Sequence, residues 1–248
     1  MKIIKFMKIS FHDLDFDSLM NRLNKRPGSS LVLLPSGPGL SSLLSDKNYY
    51  KALKDSTFNL FDSGFFCLLL KFKGIFVRKN SGFLLIMRLL NFFRLNKIDS
   101  IYFIDPNFKE SAINKKFIKS YLSLSQYSNY ISPIYNFNDP RDFKLLNLLN
   151  QKKPRYIIIN LGGGVQEKLG YWLKENLKYN SIIFCTGAAI AFHTKSQAPI
   201  NNAIDKLYLG WFLRCLHNPT IFIPRYLKSF KLIIIFLLNY FQISAKDI

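Results

Sequence analysis

Short apolar runs recur along this chain, and each stops on a polar or glycine-containing turn. This spacing constrains the fold more than any other feature. Leu31–Pro35 leads into Ser36-Gly37, Thr57–Phe61 into Asp62-Ser63-Gly64, Arg155–Leu161 into Gly162-Gly163-Gly164, and Ser181–Cys185 into Thr186-Gly187. Ser100–Ile104 and, more weakly, Tyr130–Tyr135 read as further strands. Such short runs bounded by turns suit strands buried on both faces. Between them, amphipathic stretches predict helices over Phe83–Leu95, Phe108–Leu124, Asp142–Asn150 and Gln166–Leu177. Asp139-Pro140 offers an N-cap followed by proline at the first helical position. Strands separated by helices of this length imply an α/β fold with a mostly parallel sheet flanked by helices. Ligands of such sheets sit beyond the carboxyl ends of the strands, where the four motifs fall. After about Lys195 the strand pattern stops, and Asn201–Leu216 and Ile221–Phe241 predict helices. The chain therefore divides into a sheet domain over 1–195 and a C-terminal helical appendage over 196–248.

Charge narrows the partner. Among 248 residues, 35 Lys and Arg oppose 15 Asp and Glu, a formal charge of +20. An apolar content of 49% excludes a disordered polycation. No acidic residue occurs from Ser63 to Lys97 or from Lys206 to Lys246, and both segments interleave bases with Leu, Ile and Phe. That pattern suits helices lying on an anionic membrane surface, although ordinary half-buried helices share it. Nucleic-acid binding rests on charge alone, since no zinc-finger spacing and no RNP-like run is present. No apolar run reaches the ~20 residues of a membrane span. Met1–Ser10 lacks the apolar stretch and cleavage site of a signal peptide, so none is expected. Cys67, Cys185 and Cys215 are too few for a disulfide scaffold and point to a reducing compartment.

Asp62, at a strand's carboxyl end, reads either as a general base or as a helix N-cap. Gly162–Gly164 before Gln166-Glu167-Lys168 reads either as a phosphate-approaching backbone or as a tight strand-to-helix turn. It matches neither the P-loop nor the dinucleotide spacing. Asp13, Asp15 and Asp17 overlap as two DxD patterns ahead of the first expected sheet strand, and read as a solvated helix start. His12, His193 and His217 show no metal-ligand spacing, and His193 reads as a packing residue. Cys67 and Cys185, within apolar runs, read as small core residues. Arg78, Arg214 and Arg225 lie in acid-free contexts with no local carboxylate; each alone reads as a solvated surface arginine, whereas together they fit a site for a diphosphate-bearing substrate at a membrane.

The stretch Cys185–Tyr226 resembles the WecG/TagA/CpsF glycosyltransferases. Their Arg-Ala-Pro is matched by Gln197-Ala198-Pro199 and their Gly-Leu-Glu-Trp-Leu-x-Arg by Leu209-Gly210-Trp211-Phe212-Leu213-Arg214; Pro219 and Arg225-Tyr226 follow. Gly162 to Lys168 resembles the family's Gly-x-x-x-Gln-Glu-Lys. Phe61-Asp62-Ser63-Gly64 resembles its Pro-Asp-Gly, and Pro35-Ser36-Gly37 its Thr-Pro-Asn. The resemblance runs from about Leu31 to Tyr226. It implies a Rossmann-like fold and a metal-independent, inverting transfer from a UDP-sugar to a polyprenyl-diphosphate-linked glycan acceptor. That reaction belongs to cell-surface polysaccharide synthesis and takes place on the cytoplasmic face of the membrane.

By the resemblance, Asp62 is the general base. Ser36, the Gly162–Gly164 turn and Gln166 hold the UDP-sugar, Arg214 and Arg225 meet a diphosphate, and Arg78 matches a family arginine; Glu167, Thr186 and Gly187 are further substrate-binding candidates. No cofactor is expected, and a homo-oligomer is compatible with the family. Four positions depart from the pattern: Phe83 and Gly210 replace acidic residues, and Gln197 and Thr220 replace arginines. They mark a divergent branch and bear on the sugar and the acceptor more than on the reaction class. A catalytically degenerate member and a basic nucleic-acid-binding α/β protein are the alternative readings. Removal of the chain after about Asp205 is expected to release the protein from membranes.

Overall fold

Ser30–Leu33, Tyr156–Ile159 and Ile182–Cys185 are buried at every position, as strands covered by helices on both faces must be. The computed structural model describes residues 1–124, 126–194 and 210–247. The first elements are β1 (Lys2–Phe6), β2 (Ile9–Asp13), α1 (Phe16–Lys25), β3 (Ser30–Leu33), α2 (Gly37–Leu40), α3 (Lys47–Lys54) and β4 (Phe58–Asn59). Next come α4 (Gly64–Phe72), α5 (Gly82–Leu95), β5 (Ile101–Asp105), α6 (Phe108–Leu122), β6 (Asn129–Ile131), α7 (Phe143–Lys152) and β7 (Tyr156–Ile159). The chain continues through α8 (Val165–Asn176), β8 (Ile182–Cys185), α9 (Ala189–His193), α10 (Gly210–His217), α11 (Pro219–Leu227), α12 (Lys231–Leu238) and β9 (Ser244–Asp247).

The strands form one nine-stranded sheet in the order β6-β5-β7-β8-β3-β4-β2-β1-β9. Every pairing from β6 to β2 is parallel, as the α/β reading requires. Only β1 is antiparallel to its neighbours β2 and β9. Two apolar layers clothe the sheet. One face packs on α3, α4, α7, α8 and α12, the other on α1, α5, α6 and α9. Gly170 lets α8 lie close to the sheet, because an added Cβ would come within 2.8 Å of Cys185 Sγ and 2.9 Å of Leu31 Cδ1.

Several expectations need correction. The sheet begins before Leu31, with the β1–β2 hairpin, so the Asp13–Asp17 segment does not precede the sheet: Asp13 ends β2, and Asp15 and Asp17 follow two strands. Its reading as a helix start stands, since Asp15 accepts from Ser18 N at 2.8 Å and caps α1. Asp142, not Asp139, caps α7: its Oδ1 accepts from Leu145 N at 2.9 Å. Asp139 is engaged instead by Arg141, at 2.6 Å. The predicted helix over Ile221–Phe241 is broken into α11, a 3₁₀ turn at Lys228–Phe230 and α12. Of Asn201–Leu216, positions 201–209 lie outside the described residues, and Gly210–His217 is helical.

The strand pattern does not stop at Lys195, because β9 pairs along β1 with Lys2 opposite Asp247. Leu232, Ile235 and Phe236 of α12, with Ile243, enter the core. The end of the chain is thus built into the sheet and the core.

Candidate active site

β7, β8, β3 and β4 are consecutive neighbours, so the four turns that follow them form one continuous edge. The chain passes from β3 to β4 on one side, whereas β8 reaches β3 from the other. Such a reversal opens a crevice at the carboxyl ends of strands. A cleft of about 460 Å³ lies over it. Asp62, Ser36, Gly162, Gly163, Gln166, Glu167, Thr186, Gly187, Arg214 and Arg225 all line this cleft. Residues from the first turns of α2, α4, α5, α8 and α9 border it as well. Lys79, Arg214 and Arg225 line it too and give it positive potential.

Asp62 does not cap the helix that follows it. Ser63 does so, accepting from Phe66 N at 3.2 Å. Asp62 Oδ1 instead accepts from Gly82 N at 2.9 Å, binding the first turn of α5 to the end of β4. Ser36 Oγ accepts from Gly39 N and starts α2. In the glycine turn, Gly164 has φ of +93°, and a Cβ there would lie 2.7 Å from the Phe137 ring. Gly164 therefore shapes the turn and is not among the cleft-lining residues. Its N–H donates to Glu167 Oε2 at 2.6 Å. Gln166 accepts from Gly187 N at 2.8 Å and donates to Glu167 Oε1 at 3.4 Å. Burial raises the Glu167 carboxyl above its ordinary range, and the Gly164 N–H, Gln166 and Arg225 act against that shift. Lys168, next along α8, is buried and pairs with Asp46 at 2.9 Å.

The arginines separate. Arg214 lies with its guanidinium carbon 4.6 Å from the Phe192 ring centre, and Nη1 donates to the Tyr226 hydroxyl at 3.3 Å. Arg225 reaches Gly163 from α11, where an added Cβ would lie 3.3 Å from Arg225 Nη2. Arg78 is not in the cleft. It lines an adjoining cavity of about 260 Å³ and stands 3.9 Å from Asp15, so the reading that it lacks a nearby carboxylate is corrected. That partner lies far back in the sequence, at the start of α1.

Phe83 walls the cleft and stacks on His193, with ring centres 4.4 Å apart and planes at 13°. His193 Nε2 bonds the Phe83 carbonyl at 2.9 Å, and burial lowers its pKa, so it serves as a neutral packing residue. Burial pushes the Cys67 thiol up to about 12 and raises Cys185 as well, as core thiols require. Gln197 lies outside the described residues.

The two acid-free segments come together in space. Phe65 meets Phe230 edge-to-face at 6.0 Å, and Lys73 donates to the Tyr240 carbonyl while lying 3.7 Å from that ring's centre.

Sequence reasoning passed over Asp105, which is fully buried at the end of β5. It accepts from Asn114 at 2.8 Å, Asn160 at 3.0 Å, Tyr127 at 2.9 Å and Asn129 at 3.3 Å. Burial and this carboxylate together drive the Tyr127 pKa upward. The available signal was an apolar run ending in Asp at a strand's carboxyl end, the same signal that marked Asp62.

Matched against protein families, residues 4–246 fit the Glycosyl transferase WecG/TagA/CpsF family, nearly the whole chain. The chain belongs to this family. A search among curated proteins returns no match. Membership of the WecG/TagA/CpsF family makes the chain a glycosyltransferase, acting on a sugar donor and an acceptor. It also agrees with the mixed α/β sheet described above. Among the described residues, no helix is long and apolar enough to cross a membrane.

Proposed function

We propose that this glycosyltransferase moves a sugar from a UDP-sugar to a polyprenyl-diphosphate-linked acceptor, with inversion, at the cytoplasmic face of a membrane. One observation carries the reading. α11 turns Phe222, Arg225 and Tyr226 into the cleft, while Ile221, Ile223 and Leu227 stay exposed on its other side. The same short helix thus offers a cation to an anionic substrate and an aliphatic face to a lipid surface. Beyond Lys231, α12 is apolar all round. Leu232, Ile235 and Phe236 are buried, whereas Ile234, Leu237 and Leu238 are exposed. A helix that is apolar on every side, yet half exposed, suits a membrane interface. Lys231, its first residue, and Lys228 just ahead of it favour anionic lipids.

In the reaction proposed here, the Asp62 carboxylate takes the proton of the acceptor hydroxyl. The freed oxygen attacks the anomeric carbon, and UDP departs with the electrons of the broken C–O bond. Arg214, Arg225 and Lys79 would offset the charge that develops on the diphosphate. Asp62→Asn keeps an acceptor for Gly82 N and removes the base. It is expected to lower transfer by a factor of ~100 or more, as loss of a general base does. The assay uses a panel of UDP-sugars with a polyprenyl-diphosphate-sugar acceptor, and wild-type turnover in Asp62→Asn would remove the base assignment.

A further inference from the structure

We propose that Thr186 presents only a hydrogen-bond acceptor to the cleft, and that Asp105, acting through Asn160, is the positioning residue that makes it so. The β8 end of the cleft then receives the donor-bearing, uncharged part of the ligand, a nucleobase N–H or a sugar hydroxyl. It does not receive the phosphates. The inference deepens the glycosyltransferase reading and rests on it for the kind of ligand involved.

The polarity follows from counting donors and acceptors. Four side-chain donors converge on the two oxygens of buried Asp105, so neither oxygen donates. The group that Asn160 turns to Asp105 is therefore its amide nitrogen, at 3.0 Å. Its amide oxygen must then face Thr186, whose Oγ1 lies 3.2 Å away. Among the described residues, the other hydrogen-bond neighbour of that hydroxyl is also an acceptor, the Ile159 carbonyl at 3.5 Å. In either case the single hydroxyl proton points inward. Only the oxygen lone pairs remain for a ligand in the cleft that Thr186 lines.

The next residue repeats the pattern. The Gly187 N–H is taken by Gln166 Oε1 at 2.8 Å. With the Thr186 N–H given to the Ile159 carbonyl at 3.1 Å, all three donors of the Thr186-Gly187 turn are directed into the protein. An ionised phosphate carries only acceptors and gains nothing at such a turn. Arg214 and Arg225 reach the cleft from α10 and α11, with Arg225 over Gly163, so anions are drawn to that side. The cleft is polarised, with cations over the glycine turn and an acceptor at the end of β8.

The test follows the Thr186 methyl resonance of the whole protein while uridine, a free hexose and inorganic pyrophosphate are titrated separately. Uridine or the hexose is expected to shift it, and whichever does so names the source of the donor. Pyrophosphate is expected to leave it in place. Thr186→Val should weaken that ligand by about tenfold, the value of one hydrogen bond, while Thr186→Ser keeps it. Asp105→Asn lets the chain of bonds reverse, so adding Thr186→Val to it should cost no further affinity. If Asp105→Asn does not fold, the Thr186 pair and the titrations still decide. The proposal is overturned if pyrophosphate moves the methyl, if neither uridine nor hexose does, or if Thr186→Val binds as wild type. Failure of UDP-sugar transfer while uridine or hexose still moves Thr186 would count against the proposed reaction alone.

Discussion

His12 on β2 shows how one buried side chain sets a pH limit. Its Nδ1 accepts from Asn59 N at 3.3 Å, and its ring meets Phe58 edge-on at 5.0 Å. Burial, first of all, pushes its pKa down to about 4 from the ordinary 6.5 of a histidine. The folded protein holds the neutral ring, whereas the unfolded chain protonates it once pH falls below 6.5. Stability is therefore intact above 6.5, declines as pH falls toward 4, and changes no further from this group below that. Between pH 7 and pH 5 the loss is about 2 kcal/mol. Urea unfolding at the two pH values should show it, and His12→Asn should flatten the difference.

At the same scale, legibility depended on whether a residue's partners lie nearby in sequence. Asp62 and Thr186 were recognisable because each directly follows an apolar run, and Gln166 because it follows the glycine turn that closes one. Asp105 follows one too, but its donors Asn114, Tyr127, Asn129 and Asn160 are scattered, and nothing local announces that they converge. Arg78 was misplaced for the same reason, since Asp15 is remote in the chain.

Among the elements, the parallel strands and their helices were readable because burial on both faces leaves continuous apolar runs. The β1–β2 hairpin was not. Its turn uses Met7 and Lys8 at φ of 51° and 62°, without the Gly or Asn that normally marks such a turn. β9 was hidden for a different reason: Ser244–Asp247 is short, exposed at every position and defined only by its pairing with β1. α12 gives a sharp test of how its two sides differ. Phe236→Ala should cost about 3–5 kcal/mol, as emptying a core aromatic site does. Leu238→Ala, at a position 70% exposed, should change stability by no more than about 0.5 kcal/mol. Denaturant melts of both variants measure the contrast, and equal effects would mean that α12 is not seated on the core as described. The deletion of everything after Asp205 is no longer a clean membrane test, because it also removes α12 and β9.

For the molecule as a whole, the +20 charge and the apolar content first indicated only an anionic partner and a real core. The fold gives them direction. α4, α11, α12 and the turn at Phe241 bring Phe72, Leu227, Leu238 and Phe241 to the surface among Lys71, Lys228 and Lys231. Phe72 is 87% exposed and Phe241 96%. Leu227→Glu with Phe241→Glu should reduce co-sedimentation with phosphatidylglycerol vesicles by tenfold or more, and leave the melting temperature within ~2 °C. Unchanged sedimentation would remove this face as the docking surface. High salt should weaken the remaining electrostatic part of the attraction.

α11 carries one further consequence. Arg225 faces the cleft, and Leu227, two residues on, faces outward, so a single rigid turn of helix serves both sides. Two ligands that hold one element obey reciprocity: each alters the other's affinity by the same factor. If vesicles tighten substrate binding fivefold, bound substrate must tighten adsorption to vesicles fivefold. Turnover would then be measured against lipid area as much as against protein concentration, and release of product would also loosen the hold on the bilayer.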